Sequence, residues 1–245
     1  MTKRPKEAMI FAAGMGTRLK PLTDKIPKAL VEAGGKSLLE HAVLKLRDSG
    51  VKLIVVNVHH HHEQVKQFIR ERNFKVEIQI SDEKDQLLET WGGLKKAGIF
   101  FSKKHPVILY NVDVITDLDL KKMWTFHIEK KALATLAIRT RKTSRYLYFN
   151  NRQILTGWEN TKTGEKTVCR NDMSNSAKYG FSGIHIVEPR VFNLTDHAKP
   201  VSLTNIYLKL AKKHDIYGFV HDQGYWYDAG KIPELEKVRK KLTAR

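Results

Sequence analysis

Short apolar runs alternate with amphipathic stretches along the first half of the chain. Residues 8–12, 53–57, 76–80, 107–111 and 133–138 are brief and rich in Val, Ile and Leu, the pattern of strands buried on both faces. Helical periodicity fills the gaps, over 37–49, 63–72, 93–100 and 118–130. Ser37 followed by Glu40 has the Ser-x-x-Glu form of a capping box, and Gly50 stands where a helix C-cap belongs. Strand, helix, strand repeated in this way predicts an α/β fold, a doubly wound, mostly parallel sheet with helices on both faces. After Thr140 the strands shorten, to 146–149, 154–158 and 179–186, separated by Asn150-Asn151 and by a polar stretch over 160–176. This region reads as a small antiparallel insertion beside the sheet. A helix over 203–213, a strand over 216–220 and a helix over 233–242 complete the pattern. With no internal repeat and no flexible linker, residues 1–245 read as a single domain whose two halves meet near residue 140.

Composition removes several classes. Of the 245 residues 41% are hydrophobic and 29% charged, proportions of a globular chain rather than a disordered one. The apolar runs fall far short of the roughly 20 residues a membrane span needs. No signal-peptide core precedes the first strand, so a cytoplasmic protein without a membrane partner is expected. Cys169 is the single cysteine, which excludes an internal disulfide. Lys and Arg number 44 against 26 Asp and Glu, a formal charge of +18. Such an excess also marks nucleic-acid binders, yet the cations are scattered in pairs such as Lys95-Lys96 and Lys121-Lys122, the pattern of solvated faces. No nucleic-acid partner is expected, and attraction of small polyanions suits the field better.

The first strand runs into Ala12-Ala13-Gly14-Met15-Gly16-Thr17-Arg18, and no helix begins until Ser37. Connections beyond about 12–15 residues in compact domains are usually functional. Glycines there let backbone N–H groups approach a phosphate or a base. The dinucleotide fingerprint is excluded, because Leu19 stands where its third glycine belongs and Asn57 where its acidic residue belongs. A P-loop is excluded as well, since no Gly-Lys-Ser/Thr follows. Arg18 offers a planar fork and Lys28 a point charge, a pair suited to a triphosphate; the alternative is two more solvated cations on a basic protein. Asp113 ends the run 107–112 and so projects from the carboxyl end of a central strand, where open α/β sheets bind ligands. A helix cap is its alternative reading, although Thr116 and Asp117 are better placed for that. His59-His60-His61-His62 sits on a strand-to-helix turn, where four successive rings cannot converge on one ion.

The loop 12–18, together with Pro21-Leu22-Thr23 and Pro27-Lys28, resembles the signature of the sugar-1-phosphate nucleotidylyltransferases. Within that family the chain is most similar to the small bacterial branch whose members act on N-acetylmuramic acid 1-phosphate or mannose 1-phosphate. The resemblance implies that the backbone of Ala12, Ala13 and Gly14 holds base and ribose, and that Gly16, Thr17 and Arg18 surround the β- and γ-phosphates. Lys28 is then set against the α-phosphate or the sugar phosphate. Leu88-Glu89-Thr90-Trp91-Gly92-Gly93 resembles the base-recognition segment, implying nucleotide contacts from Glu89, Thr90 and Gly92, with Trp91 where relatives carry glycine. Tyr225-Trp226-Tyr227-Asp228-Ala229-Gly230 resembles the closing motif, so that Asp113 and Asp228 are the implied Mg²⁺ ligands. Val112 replaces the glycine that usually precedes the first of them. Glu159, Gly183 and Asp228 are the implied sugar-phosphate contacts beside Lys28, while Asn160 stands where relatives often have lysine.

Implied catalytic residues are Arg18, Lys28 and Asp113, and the implied reaction is transfer of a nucleoside monophosphate, UTP favoured, from a nucleoside triphosphate to a sugar 1-phosphate. Mannose-1-phosphate guanylyl transfer, phosphocholine cytidylyl transfer and a catalytically silent nucleotide sensor remain as alternatives, as does an RNA-binding module. Whether the chain works as monomer or homodimer is left open.

Overall fold

The computed structural model describes residues 4–84, 88–195 and 201–243. In the first strand Ala8 and Ile10 on one side and Met9 on the other are all fully buried. A strand dry on both faces belongs mid-sheet, between two layers.

In chain order the strands are β1 (Glu7–Phe11), β2 (Glu32–Ala33), β3 (Lys36–Ser37), β4 (Leu53–Val58), β5 (Glu77–Asp82), β6 (Val107–Asn111) and β7 (Val114–Thr116). There follow β8 (Ala134–Arg139), β9 (Arg145–Phe149), β10 (Leu155–Asn160), β11 (Glu165–Val168), β12 (Ala177–Val187), β13 (Ile216–Val220) and β14 (Trp226–Asp228). The helices are α1 (Leu38–Ser49), α2 (His62–Arg70), α3 (Glu89–Ala97), α4 (Leu120–Glu129), α5 (Leu203–Ala211) and α6 (Ile232–Thr243).

One sheet takes the order β11-β10-β9-β12-β6-β1-β4-β5, with β8 joining β12 to β13. Its centre, β6-β1-β4-β5, is parallel, as is the β8–β13 pair. From β1 the chain winds outward through β4 and β5 and then crosses to β6 on the opposite side. The carboxyl ends of β1 and β6 therefore flank the reversal point where doubly wound sheets open a ligand crevice. The antiparallel strands do not lie beside this sheet but continue it edge to edge. The eleven-residue β12 pairs with β6 and β8 toward its C-terminus and with β9 toward its N-terminus. Within the polar stretch 160–176 stands β11, an exposed edge strand that needs no apolar alternation and so gave no periodic signal.

Helices α1, α4 and α6 pack on the face of Ala8 and Ile10, and α3 and α5 on the face of Met9. The capping of α1 is as the sequence predicts: Ser37 Oγ accepts from the Glu40 N–H at 3.1 Å, and Gly50 closes the helix at φ 109°. The cap of α4 is instead Asp119, which accepts from the Lys121 and Lys122 N–H groups at 2.9 and 3.0 Å. Thr116 and Asp117 are turned to another task. Thr116 Oγ1 donates to the Tyr225 carbonyl and Asp117 accepts from the Tyr225 N–H, both at 2.9 Å. These bonds clamp the two-stranded antiparallel pair of β7 and β14.

Candidate active site

The long connection after β1 is built from three short 3-10 turns, Thr17–Leu19, Leu22–Asp24 and Lys28–Leu30. Gly16 makes its entry possible, with φ 67° and so little room that a Cβ would lie 2.9 Å from Thr23 Cγ2. Thr23 Oγ1 donates back to the Gly16 carbonyl at 2.8 Å. Leu19, fully buried, pins the turn to the core, leaving Gly14, Thr17 and Arg18 exposed above the sheet.

Below this loop lies a cleft of about 340 Å³, lined among others by Gly14, Arg18, Lys28, Glu89, Thr90 and Asp113. Its floor is a polar network absent from the sequence-derived site. The Ala12 N–H donates to Asn57 Oδ1 at 2.8 Å, Asn57 Nδ2 donates to Glu83 Oε1 at 2.7 Å, and the Leu88 N–H reaches Glu83 Oε2 at 3.3 Å. Glu83 is 1% exposed. Burial pushes its carboxyl above the usual range, against the hydrogen bonds from Asn57 and Leu88. A Cβ on Gly93 would lie 2.7 Å from Glu83 Oε1, so this glycine lets α3 descend onto the network. The one available signal was Asn57 itself, a polar residue ending an otherwise apolar strand.

The segment 88–93 is the first turn of α3 rather than a loop ahead of a helix at 93. Glu89 lines the cleft with a left-handed φ of 58°. Thr90 lines it too, but its hydroxyl accepts from the Leu203 N–H at 2.8 Å and anchors α5. A Cβ on Gly92 would sit 2.9 Å from Leu88 Cβ, which places this glycine in tight local packing. Trp91 is buried against Phe192, ring centroids 5.9 Å apart, in the core beneath the sheet, so its bulk does not narrow the cleft. Val112 is also buried.

At the mouth the two aspartates meet. In the pairing of β14 with β7 Asp228 stands opposite Val114, and the Ala229 N–H donates to the Asp113 carbonyl at 2.8 Å. A Cβ on Gly230 would overlap Asp113 Oδ2 and lie 3.0 Å from Asp228 Oδ1, so both carboxylates converge on a space that only glycine leaves free. Lys28 Nζ pairs with Asp113 Oδ2, and Arg18 reaches Asp113 at 3.7 Å and Asp228 at 3.4 Å. Burial opposes ionisation of Asp113, but Lys28 and Arg18 outweigh it and hold the carboxyl below its usual range. Two hard carboxylates converging on one space are the donor type that Mg²⁺ takes.

Gly183 lies in a register shift of β12 at φ 77°, where a Cβ would be 2.9 Å from Asn111 Nδ2. It thus lets β12 press against the end of β6, beside Asp113. Glu159 stands apart on β10. It accepts from the Tyr148 hydroxyl at 2.5 Å, pairs with Lys166 at 3.0 Å, and lines neither this cleft nor the smaller cavity beyond Asp228. The four histidines do not converge on one point: His59 Nδ1 meets the Glu83 carbonyl at 2.7 Å and His62 Nδ1 lies 3.3 Å from Asp82, while the His60 and His61 ring centroids lie 3.8 Å apart. His62, Glu63 and Asp82 are grouped closely enough to hold an ion, and Lys66 pairs with both carboxylates, at 2.8 and 2.6 Å. No helix among the described residues is long and apolar enough to cross a membrane.

Comparison with known proteins places the chain by family and fold. The chain is 32% identical over 238 residues to N-acetylmuramate alpha-1-phosphate uridylyltransferase of Caulobacter vibrioides, covering 94% of each. It is 31% identical over 229 residues to mannose-1-phosphate guanyltransferase of Yarrowia lipolytica, spanning 91% of this chain but 60% of that longer protein. The fold superposes on UDP-glucose pyrophosphorylase from Acinetobacter baumanii with a TM-score of 0.79 at 16% identity, over 96% of this chain and 92% of that one. The model of the nucleotidyl transferase family matches residues 7–245, and the chain belongs to that family.

Proposed function

We propose that the protein transfers a nucleoside monophosphate from a nucleoside triphosphate to a sugar 1-phosphate, with UTP as the favoured donor and Mg²⁺ as the metal. The observation that carries this reading is the convergence of Lys28, Arg18, Asp113 and Asp228 at the mouth of a cleft roofed by a glycine loop. A phosphate oxygen of the acceptor attacks the α-phosphorus as the bond to the bridging oxygen breaks, and pyrophosphate leaves with that electron pair. Both reactants are anions, so the protein must neutralise charge and hold the line of attack, tasks that preorganised cations perform without a covalent intermediate.

Arg18, half-exposed on the loop, is placed to stabilise the departing pyrophosphate. Lys28, mostly buried, steadies the transferring phosphoryl group. Asp113 and Asp228 would hold Mg²⁺, which when bound supplies charge neutralisation and polarises phosphoryl oxygens. UTP is favoured because, of the relatives matched over nearly their whole length, the uridylyltransferase is 32% identical and the heptose 1-phosphate guanylyltransferase 27%. The test is pyrophosphate release with Mg²⁺, each common nucleoside triphosphate being run against N-acetylmuramic acid, mannose and glucose 1-phosphates and phosphocholine. Release that requires UTP together with a sugar 1-phosphate is expected. Release with another base corrects the donor, and none with any pair overturns the reading.

A further inference from the structure

Beyond Asp228 lies a second cavity, of about 300 Å³, whose lining includes Arg141, Lys142, Trp226, Asp228 and Lys231. Asp228 forms the partition between it and the catalytic mouth, because the same carboxylate contacts Arg18 at 3.4 Å and Lys231 at 3.6 Å. Arg141 stands out there. Its Nη2 donates to the Phe181 carbonyl at 2.9 Å, and its guanidinium carbon lies 4.7 Å from the centroid of the Trp226 ring. The indole is itself fixed, its Nε1 donating to the Ser182 carbonyl at 2.9 Å. A Cβ on Gly180 would lie 2.6 Å from Arg141 Nε, so that glycine admits the guanidinium against β12.

Two acids, Asp228 and Glu234, share the lining, but neither pairs with Arg141. Among the described residues no carboxylate lies within ion-pairing distance of Arg141, and its Nε is buried without a hydrogen-bond partner. Burial depresses the guanidinium's proton affinity, with Asp228 and Tyr146 opposing that effect. Nε faces β12 and Nη2 is held by Phe181, but a rigid, half-buried guanidinium with no ion-pair partner is costly to maintain unless a ligand supplies the counter-charge. The planar fork suits an oxyanion, phosphate or carboxylate, better than a hydroxyl. Lys142 strengthens the same preference, while Lys231 is paired with Asp228, and the volume suits a group of monosaccharide size.

We propose that Arg141 binds an oxyanion of the acceptor, its phosphate or a carboxylate carried by the sugar, in the cavity beyond Asp228. This rests on the reading that the second substrate is a sugar 1-phosphate. Glu159, which the resemblance implies as a sugar-phosphate contact, has its oxygens engaged by Tyr148 and Lys166 and is itself an anion, so it cannot hold an oxyanion.

The experiment measures binding of N-acetylmuramic acid 1-phosphate and of mannose 1-phosphate by calorimetry, to the wild type, Arg141→Lys and Arg141→Gln. Initial-rate kinetics and the nucleoside triphosphate KM are measured on the same preparations. Arg141→Gln is expected to weaken acceptor binding about tenfold or more, the loss of a charge-assisted hydrogen bond. Arg141→Lys should keep part of the affinity, and the triphosphate KM should stay constant, which separates a lost contact from a lost fold. Equal weakening for both sugars identifies the phosphate as the bound group. Weakening for N-acetylmuramic acid 1-phosphate alone identifies the carboxylate. Binding of both sugars within twofold of wild type in both variants overturns the proposal, as does a wild type that binds neither. Turnover that is indifferent to Arg141 removes this site and leaves the reaction standing; Arg141-dependent binding without pyrophosphate release from any pair does the reverse.

Discussion

Gly230→Ala isolates the geometry of the paired aspartates from their chemistry. The backbone at 230 is not left-handed, so alanine meets no torsional obstacle and the only penalty is space. The new methyl overlaps Asp113 Oδ2 and crowds Asp228 Oδ1 at 3.0 Å and Arg18 Nη2 at 3.1 Å. Restoring ordinary contact takes a displacement of about 1 Å, and an error of that size close to the reacting atoms costs about 10²-fold in rate. That corresponds to about 2.7 kcal/mol of transition-state stabilisation. The loss in stability should be about 1–3 kcal/mol, since the overlap falls on Asp113, which is buried and held by Lys28. The assay is kcat for pyrophosphate release at saturating substrates, read beside a thermal melt. Gly14→Ala is the contrast. No atom lies within 4 Å of a Cβ there, so the free protein accommodates it, while its place in the cleft wall should raise the triphosphate KM and leave kcat alone. A Gly230→Ala enzyme with kcat within twofold of wild type would refute the convergence of the two carboxylates on a working centre.

Asp113→Asn keeps shape and removes charge; kcat should fall about 10²–10³-fold with an unchanged circular dichroism spectrum, and chelation of divalent cations should stop the wild type until Mg²⁺ is restored. Glu83→Gln leaves either the Leu88 N–H or the Asn57 amide without its acceptor, which should cost about 1 kcal/mol in a denaturant titration and raise the triphosphate KM. Burial pushes the His185 imidazole down to about 3 and that of His221 down to about 4, whereas in the unfolded chain both titrate near 6.5. The unfolded state therefore takes up protons that the fold refuses. Stability should fall as pH drops from 6.5 toward 4, by about 3 kcal/mol for His221, and His221→Gln should flatten part of that slope in melts across the range.

The glycine loop and Asp113 were legible because each depends on local order: a buried strand, then small residues and cations, or a buried strand ending in an acid. The meeting of Asp113 with Asp228 was not legible from spacing, since it is made by β7 pairing with β14, and nothing in either segment names its partner. The resemblance to a family supplied that pair where periodicity could not. The Asn57–Glu83 network was hidden for a related reason: each residue alone reads as an ordinary strand-end polar group, and only the parallel register of β4 with β5 brings them together. Asp117 looked like a helix cap and instead accepts from Tyr225, because a tertiary partner outbid the local one. Arg141 was invisible among 44 cations until the structure showed which of them is held against an indole without an acid.

These observations separate two electrostatic tasks that the net charge alone would merge. Around the mouth the charges nearly balance, with Lys28, Arg18 and Lys231 set against Asp113 and Asp228. Nearly all of the excess of +18 lies elsewhere, mostly on exposed and half-exposed positions. A scattered field acts at long range on any polyanion and is weakened by salt, so it draws reactants in without distinguishing them. Distinction has to come from the few groups held at fixed distance in low-dielectric surroundings, where each contact counts for more. Two anionic substrates approaching one carboxylate pair would repel it and each other, unless every oxyanion finds a cation already in place. In the proposed reaction Lys28 and Arg18 provide that on the nucleotide side, and Arg141 is the residue proposed to provide it on the other.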